Sequence, residues 1–220
     1  MVRRLVGALA AVAVGVLVGA VPASAAAGYT LFGDATRVHP GHNSHTAIQL
    51  RSISTGIGYG GIDFKVPSGT TFSQIQNLGT DYNFTAASCG LGSPRFQINM
   101  LGKNAFVYIG PPPNYTGCPP NVWVNTGNLA IAASFIDTSQ LPGGTFYDTF
   151  ASAQTKYGSV TVTGIQLVSD FTQTVLVDNV QINTTTYTFE RRGHGQDGGD
   201  NGDNGDNNNN DNSENGDNGD

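Results

Sequence analysis

Residues 159–182 constrain the fold of this chain more than any other stretch. They contain two runs rich in Val, Ile and Thr, VTVTGIQLV and TVLVDNVQI, which are typical of strands with a pleated, half-buried surface. The polar residues 169–172 separate the two runs. The pattern therefore predicts two consecutive strands joined as an antiparallel hairpin.

The second run places a carboxylate among apolar neighbours. Side chains of a strand alternate with period two, so Asp178 is expected to share a face with Leu176, Val180 and Ile182. Both faces of the run are largely apolar, as in a central strand of a sandwich. A buried carboxylate is costly unless it accepts backbone hydrogen bonds or binds a cation, and both alternatives stay open for Asp178.

The two ends of the chain differ from its body. Residues 1–25 contain two arginines, an apolar run and the small residues Ala23-Ser24-Ala25, the pattern of a secretory signal peptide. Residues 193–220 contain only Gly, Asn, Asp and a few other polar residues, which predicts a disordered acidic tail. We therefore expect a secreted, extracellular protein with one domain over residues 26–192 and no membrane span after signal removal.

The negative charge of the chain belongs to its tail. Eight of the sixteen acidic residues lie in residues 193–220, and residues 26–192 contain eight acids and eight bases. The body is therefore near neutral, and it carries no basic excess of the kind that binds nucleic acid.

Cys89 and Cys118 are the two cysteines of the chain. In an exported protein such a pair is more often a disulfide than a redox or metal site. We therefore predict a Cys89–Cys118 disulfide that pins the irregular, proline-rich segment 110–127.

The body is dominated by strand patterns. Besides the two runs of residues 159–182, seven further runs are β-like: residues 29–35, 46–53, 57–66, 79–86, 95–100, 104–109 and 185–189. Residues 145–157 are the best helix candidate, and residues 70–77 predict a short helical turn. The predicted class is mainly β, an antiparallel β-sandwich with one or two short helices.

The closing run VLVDNVQI resembles the last strand of the galactose-binding-like, jelly-roll carbohydrate-binding modules. This resemblance implies a jelly-roll-like antiparallel β-sandwich and a structural calcium ion bound by Asp178, the residue that matches the family's ligand. The family usually has a Glu after its N-terminal strand, where this chain has Gly33-Asp34. Asp178 alone matches a ligand position of the family, and Asp34, which stands where that Glu is usual, is the other metal-ligand candidate of the chain.

A second metal hypothesis concerns His39, His42 and His45, which lie within seven residues of one another. Imidazole binds zinc and copper, and Asp34 would supply a fourth ligand. Pro40 and Gly41 exclude the helical geometry that would bring the rings together, so the sequence favours a solvated polar loop.

Sugar recognition requires aromatic faces for the pyranose rings and polar partners for the hydroxyls. Aromatic residues in Gly-, Pro- or Asn-rich segments, with one basic side chain near them, form the predicted carbohydrate site: Tyr82, Tyr115, Trp123 and Arg95.

The sequence contains no nucleophile elbow, no H-E-x-x-H and no Gly-rich phosphate loop. Carboxylate pairs such as Asp63 with Asp81 or Asp148 are too few to favour hydrolysis. The leading hypothesis is a non-catalytic protein that binds an extracellular polysaccharide or cell-surface polymer. A secreted hydrolase, or a structural or surface-interaction protein without a small ligand, are the alternatives.

Overall fold

A computed structural model describes residues 28–190 of the chain. The predicted signal peptide and the predicted acidic tail lie outside these residues. The elements follow one another as β1 (Tyr29–Gly33), β2 (Ala35–Val38), β3 (Ala47–Ser52), β4 (Gly60–Phe64), a 3₁₀ helix (Phe72–Gln74), β5 (Leu78–Ala86), β6 (Arg95–Met100), β7 (Lys103–Tyr108), β8 (Val124–Asn125), β9 (Phe135–Ile136), β10 (Asp148–Thr149), α1 (Phe150–Tyr157), β11 (Val162–Ser169), β12 (Gln173–Ile182) and β13 (Thr185–Tyr187).

The strands form two main sheets. The front sheet has the order β1-β4-β11-β6-β7, and the back sheet has the order β2-β3-β12-β5-β8. β13 pairs with β12 beyond the end of β3, and β9 and β10 form a separate two-stranded ribbon. All of these strand pairs are antiparallel, so the predicted mainly β, antiparallel sandwich is confirmed.

The core lies between the two sheets because their strands alternate in polarity. In β6, Phe96, Ile98 and Met100 are fully buried, whereas Arg95 and Gln97 are half-buried on the opposite side. The back sheet contributes buried side chains in the same way, among them Val175, Val177, Tyr82, Phe84, Ile48 and Leu50. One apolar face of each sheet is therefore removed from water, and the other faces solvent.

The predicted hairpin over residues 159–182 is wrong. Both runs are strands, but β11 lies in the front sheet between β4 and β6, and β12 lies in the back sheet between β3 and β5. The connection crosses from one sheet to the other. Ser93 stabilises it, since its Oγ accepts hydrogen bonds from the backbone N–H of Asp170 at 3.0 Å and from Nε2 of Gln173 at 2.8 Å. Strands that are distant in sequence pair with both edges of β11 and with both edges of β12. A local sequence pattern carries no information about such long-range pairing.

A bulge in β12 also changes which side chains share the face of Asp178. Asn179 has a φ of 46°, and the pairing of β12 with β5 shifts between Asp178 and Gln181. Val180 therefore turns into the core, where it is fully buried, rather than sharing the face of Asp178 as the period-two pattern predicted.

The helix is shorter than predicted. It begins at Phe150, not near residue 145, because Asp148 and Thr149 pair with β9. Thr149 is the N-cap, and its side chain accepts a hydrogen bond from the backbone N–H of Ser152 at 3.1 Å. The predicted helical turn over residues 70–77 contains the 3₁₀ helix Phe72–Gln74.

The Cys89–Cys118 disulfide is confirmed, with Cα atoms 5.5 Å apart and both residues buried. Within residues 28–190, no helix has the length and apolar character needed to cross a membrane.

Candidate functional site

The solvent-facing side of the front sheet, called the front face, carries a row of polar side chains across adjacent strands. Asp63 of β4 pairs with Gln166 of β11, Gln166 pairs with Gln97 of β6, and Gln97 pairs with Phe106 of β7. These residues alternate with buried core residues along their strands. The three polar side chains of the row and the ring of Phe106 next to it therefore point to solvent. Strand pairing, not sequence proximity, therefore assembles the row.

Much of the hydrogen-bonding capacity of this row is unused. Nε2 of Gln97 donates to Oε1 of Gln166 at 2.9 Å, which leaves Oε1 of Gln97 and the amide N–H groups of Gln166 without protein partners in residues 28–190. Asp63 is exposed, and its carboxylate likewise has no hydrogen-bond or ion-pair partner in the described part of the chain. The row therefore offers both donors and acceptors to a ligand.

Aromatic side chains flank the row at the β1 edge. Phe32 of β1 pairs with Gly61 of β4, and its ring covers that glycine, since a Cβ at residue 61 would lie 2.2 Å from Cζ of Phe32. Tyr59 lies next to Phe32, with ring centroids 6.3 Å apart, and is 45% exposed. Glycine at 61 is what permits the aromatic ring to lie flat on the sheet.

Arg95, a predicted sugar-binding residue, lies on the front face beside the polar row. Its guanidinium donates two hydrogen bonds to Asp170, at 2.7 and 2.6 Å, and lies 4.9 Å from the centre of the Phe106 ring. The two-pronged ion pair holds the guanidinium plane in place and neutralises it.

The β7 edge of the front face is also aromatic. Tyr108 lies two residues after Phe106 and contacts the ring of Phe146, with centroids 6.1 Å apart. Its hydroxyl donates a 2.5 Å hydrogen bond to Oδ2 of Asp137. Burial, together with the hydrogen bond to Asp137 and the charge of Asp137, raises the pKa of Tyr108, so its hydroxyl stays protonated at neutral pH.

Beyond Tyr108, three exposed rings follow one another; we call Phe135, Phe146 and Tyr147 the aromatic ridge. The centroids of Phe146 and Tyr147 are 5.0 Å apart, and those of Tyr147 and Phe135 are 5.8 Å apart. Phe146 is 53% exposed, Tyr147 51% and Phe135 39%. The ridge is thus a continuous apolar surface in water.

A different polar cluster lies on the outer side of the back sheet. Asp178 of β12 and Asp81 of β5 are paired across neighbouring strands, and both are buried. Residues 39–45 fold over them. Asp178 accepts hydrogen bonds from the backbone N–H of His42 at 2.8 Å, from Oγ of Ser44 at 2.5 Å and from the backbone N–H of Asn179 at 2.7 Å.

Asp81 is surrounded by donors too. It accepts from Nδ2 of Asn125 at 2.6 Å, from Nδ2 of Asn179 at 2.7 Å, and it bonds Nδ1 of His42 at 2.9 Å. Burial opposes ionisation of Asp81, but these hydrogen bonds and the His42 charge outweigh it and lower its pKa. Burial raises the pKa of Asp178 despite its own hydrogen bonds, and the charge of Asp81 adds to that rise.

The surroundings of Asp178 do not fit the calcium ion that the resemblance implies. Calcium takes oxygen ligands, whereas both oxygens of Asp178 are occupied by N–H and O–H donors. Asp34, the other predicted ligand, accepts from the backbone N–H of Ile57 at 3.1 Å and is not a partner of Asp178. Across residues 28–190, no three His, Cys, Asp or Glu side chains are grouped closely enough to hold a metal. Calcium at Asp178 is thus predicted by the resemblance and disfavoured by these hydrogen bonds, and unfolding with and without a chelator decides between the two.

The four predicted sugar-binding residues are not brought together. Tyr82 is a core residue, 4% exposed, and Tyr115 is 8% exposed and packs edge-on against Tyr108 at 5.1 Å. Trp123 stacks on His42, with ring centroids 5.0 Å apart and planes 9° from parallel. Of the four, Arg95 is the one on the front face.

Sequence reasoning missed the polar row and the ridge. The signal for the row was present, because Gln97 and Gln166 alternate with buried residues in two strong strands and must point outward. The ridge had no such signal, because its residues lie in short, irregular elements.

A cavity of about 790 Å³ opens elsewhere in the domain. Phe64 and Ile165 in its wall are core-facing residues of β4 and β11, so it lies on the opposite side of the front sheet from Asp63 and Gln166. Its other wall residues are mainly aliphatic or belong to loops, and it contributes nothing to the front face.

Comparison with known proteins finds similarity in structure alone. No protein-family model matches the chain. No curated protein sequence matches it either.

Three solved structures are similar. The family 11 carbohydrate-binding module of the cellulosomal cellulase Lic26A-Cel5E of Clostridium thermocellum has 11% identity and a TM-score of 0.41, over 72% of this chain and 89% of that one. The solution structure of CtCBM11 has 12% identity and a TM-score of 0.39, over 72% of this chain and 90% of that one. An exo-beta-agarase has 12% identity and a TM-score of 0.36, over 74% of this chain and 24% of its own. The assignment of a β-sandwich to this chain comes from its own strand pairing and core.

Proposed function

We propose that this chain is a secreted, non-catalytic domain that binds an extracellular polysaccharide through its front face. The observation that carries the proposal is the polar row of Asp63, Gln166 and Gln97, with unused donors and acceptors, lying between aromatic side chains on both edges of one sheet. Sugars present hydroxyl groups at their edges and C–H groups on their ring faces, and this surface offers partners for both.

The carboxylate pairs that the sequence suggested, Asp63 with Asp81 or with Asp148, are not arranged for hydrolysis. A glycosidase generally needs two carboxyl groups on either side of one glycosidic bond. Asp63 lies on the front face, whereas Asp81 lies on the outer side of the back sheet and Asp148 is buried and paired with Lys156. Neither can act with Asp63 on one sugar linkage.

Export is part of the proposal. Residues 1–25 have the composition of a signal peptide, and a buried disulfide is typical of proteins that fold outside the cytoplasm. The proposed partner is therefore an extracellular or cell-surface glycan.

The test is a pull-down of the purified, exported chain on microcrystalline cellulose, agarose, insoluble β-1,3-glucan and chitin, with a parallel assay for released reducing sugar. We expect retention on at least one glycan without sugar release. Gln97→Ala/Gln166→Ala should weaken that binding about 10- to 100-fold, since each lost hydrogen bond contributes about 1 kcal/mol.

Gln49→Ala is the matched control, because Gln49 is an equally half-buried glutamine on the outer side of the back sheet. Its binding should equal that of the unchanged chain. Release of reducing sugar would identify a hydrolase instead, and neither retention nor release would support a structural or surface-interaction protein.

A further inference from the structure

We propose that the aromatic ridge, Phe135, Phe146 and Tyr147, is an additional subsite for the same glycan, so that the domain recognises an extended polysaccharide chain rather than a short oligosaccharide. This inference rests on the proposed function of the front face. It assigns a ligand to a surface that the polar row does not include.

The ridge is an unusual surface for a soluble domain. The ring of Tyr147 contacts those of Phe146 and Phe135, and the three side chains are between 39% and 53% exposed. Single exposed apolar residues are common, but a contiguous aromatic patch beside polar groups is typical of a binding surface. The exposure of the aromatic ridge therefore indicates that it binds a partner.

The ridge continues the front face in the direction that crosses the strands. Backbone hydrogen bonds of 2.9 and 2.8 Å join Phe106 of β7 to Asp137, which directly follows β9. Phe135 lies two residues before Asp137, and the side chain of Asp137 meets the front-face hydroxyl of Tyr108. The β9–β10 ribbon is thus attached to the β7 edge, with Phe135 on the same side as Tyr108.

Continuity of the rings with the front face favours the glycan chain itself as the occupant. From Tyr108 to Phe146, Tyr147 and Phe135 the centroid steps are 6.1, 5.0 and 5.8 Å. These are ordinary contact distances between aromatic rings, so the rings form an unbroken path away from Tyr108. A chain lying on the polar row and crossing β7 would therefore reach the ridge with its next units.

Ring orientation favours a single chain over a flat crystalline surface. The planes of Phe146 and Tyr147 differ by 72°, and those of Tyr147 and Phe135 by 75°. A flat surface would contact one such ring at a time, whereas a twisting chain can meet successive rings at different angles.

The β9–β10 ribbon, which contains Phe135 and whose second strand directly follows Phe146 and Tyr147, is held in place before any ligand binds. Asp137 accepts from the Tyr108 hydroxyl and from the backbone N–H of Ser139 at 2.9 Å, and Asp148 binds Nζ of Lys156 at 2.6 Å. Little conformational entropy remains to be lost there on binding, which favours a real contribution to affinity.

The experiment compares binding of oligosaccharides of two to eight units, prepared from each of the four glycans above, by isothermal titration calorimetry. The variant is Phe146→Ala/Tyr147→Ala, and Val122→Ala, a 46% exposed apolar residue in the disulfide-pinned loop, is the control. The unchanged chain should gain affinity with ligand length. The ridge variant should match it on the shortest ligands bound and be about tenfold weaker on the longest.

Each other outcome overturns the inference in a recognisable way. If the ridge variant equals the unchanged chain at every length while Gln97→Ala/Gln166→Ala still loses binding, the proposed function stands and the extension fails. An equal loss at all lengths would make the ridge part of the primary site. A dimer that the ridge variant converts to a monomer in analytical ultracentrifugation would assign the ridge to a second copy. If the unchanged chain binds no glycan, both proposals fail.

Discussion

Asp178 is a buried carboxylate that is surrounded by hydrogen-bond donors. Three donors supply its hydrogen bonds, and two of these are backbone N–H groups of His42 and Asn179. The donor from Asn179 depends on the bulge that gives this residue a φ of 46°. Position 41 requires glycine, because a Cβ there would lie 2.0 Å from Oγ of Ser44 and 2.6 Å from Oδ2 of Asp178.

We expect Asp178→Ala to lower the free energy of unfolding by about 3 kcal/mol, because it leaves several donors buried without an acceptor. Ser44→Ala removes one donor and should lower it by about 1 kcal/mol. Urea unfolding followed by circular dichroism measures both. Equal small losses in the two variants would contradict the role assigned to the backbone donors.

The same unfolding curves recorded with EDTA, and again with added calcium, check the calcium prediction. Since N–H and O–H donors occupy both Asp178 oxygens, we expect the unchanged chain to unfold at the same urea concentration in both conditions. Stabilisation by calcium that Asp178→Ala abolishes would restore Asp178 as a ligand.

Among the elements, the β9–β10 ribbon and helix α1 are joined by one ionic cluster. Oδ2 of Asp148 accepts from Nζ of Lys156 at 2.6 Å and from the Thr138 hydroxyl at 3.0 Å. Burial opposes the charge on Asp148, but the hydrogen bonds and the Lys156 charge prevail and lower its pKa. Asp148 is buried and the Lys156 side chain is 34% exposed, so solvent screens this pair less than it screens a pair on the open surface.

We expect Asp148→Asn to lower the free energy of unfolding by about 2 kcal/mol at pH 7. The folded state binds the Asp148 proton less tightly than the unfolded state does. The stabilisation is therefore complete above the usual aspartate pKa, about 4, and is lost as the pH falls through the lower folded-state value. The unfolding curves of the two proteins should thus begin to approach each other below about pH 4 and should coincide only below the folded-state pKa of Asp148.

Asp63→Asn is the control for this measurement, because Asp63 is exposed and has no partner within residues 28–190. It should leave the stability unchanged across the same pH range. A difference between Asp148→Asn and the unchanged chain that persists at low pH would show that packing, not charge, accounts for the loss.

In the molecule as a whole, the disulfide joins the loop that follows β5 to the long irregular segment. Cys89 and Cys118 are 29 residues apart, and the segment after Cys118 supplies Trp123 and Asn125 to the cluster around Asp81. The disulfide thus restricts the unfolded chain. It also positions the segment that covers the buried residues Asp81 and Asp178.

We expect Cys89→Ala/Cys118→Ala to lower the free energy of unfolding by about 3 to 4 kcal/mol, the loop-closure value for a bridge of this span. Urea unfolding with and without dithiothreitol measures it. Reductant should destabilise the unchanged chain and have no effect on the double variant. A loss below about 1 kcal/mol would indicate that the segment is held by its other contacts.

The amino-acid sequence by itself determined the fold class, most of the strands and the disulfide. These depend on local alternation of polar and apolar side chains and on the presence of just two cysteines, which can pair only with each other. Arg95 and Asp178 were also recognised as chemically significant residues, although their partners were not.

Only the tertiary structure decided which strands pair and which side chains meet. β11 and β12 have the pattern of a hairpin, yet each is enclosed by strands from elsewhere in the chain. The polar row comes from three strands. The aromatic ridge comes from Phe135 of the two-residue strand β9 and from Phe146 and Tyr147 in the turn before β10. Periodicity reports which face a side chain occupies, but the neighbour across a sheet is selected by long-range packing, which no local pattern contains.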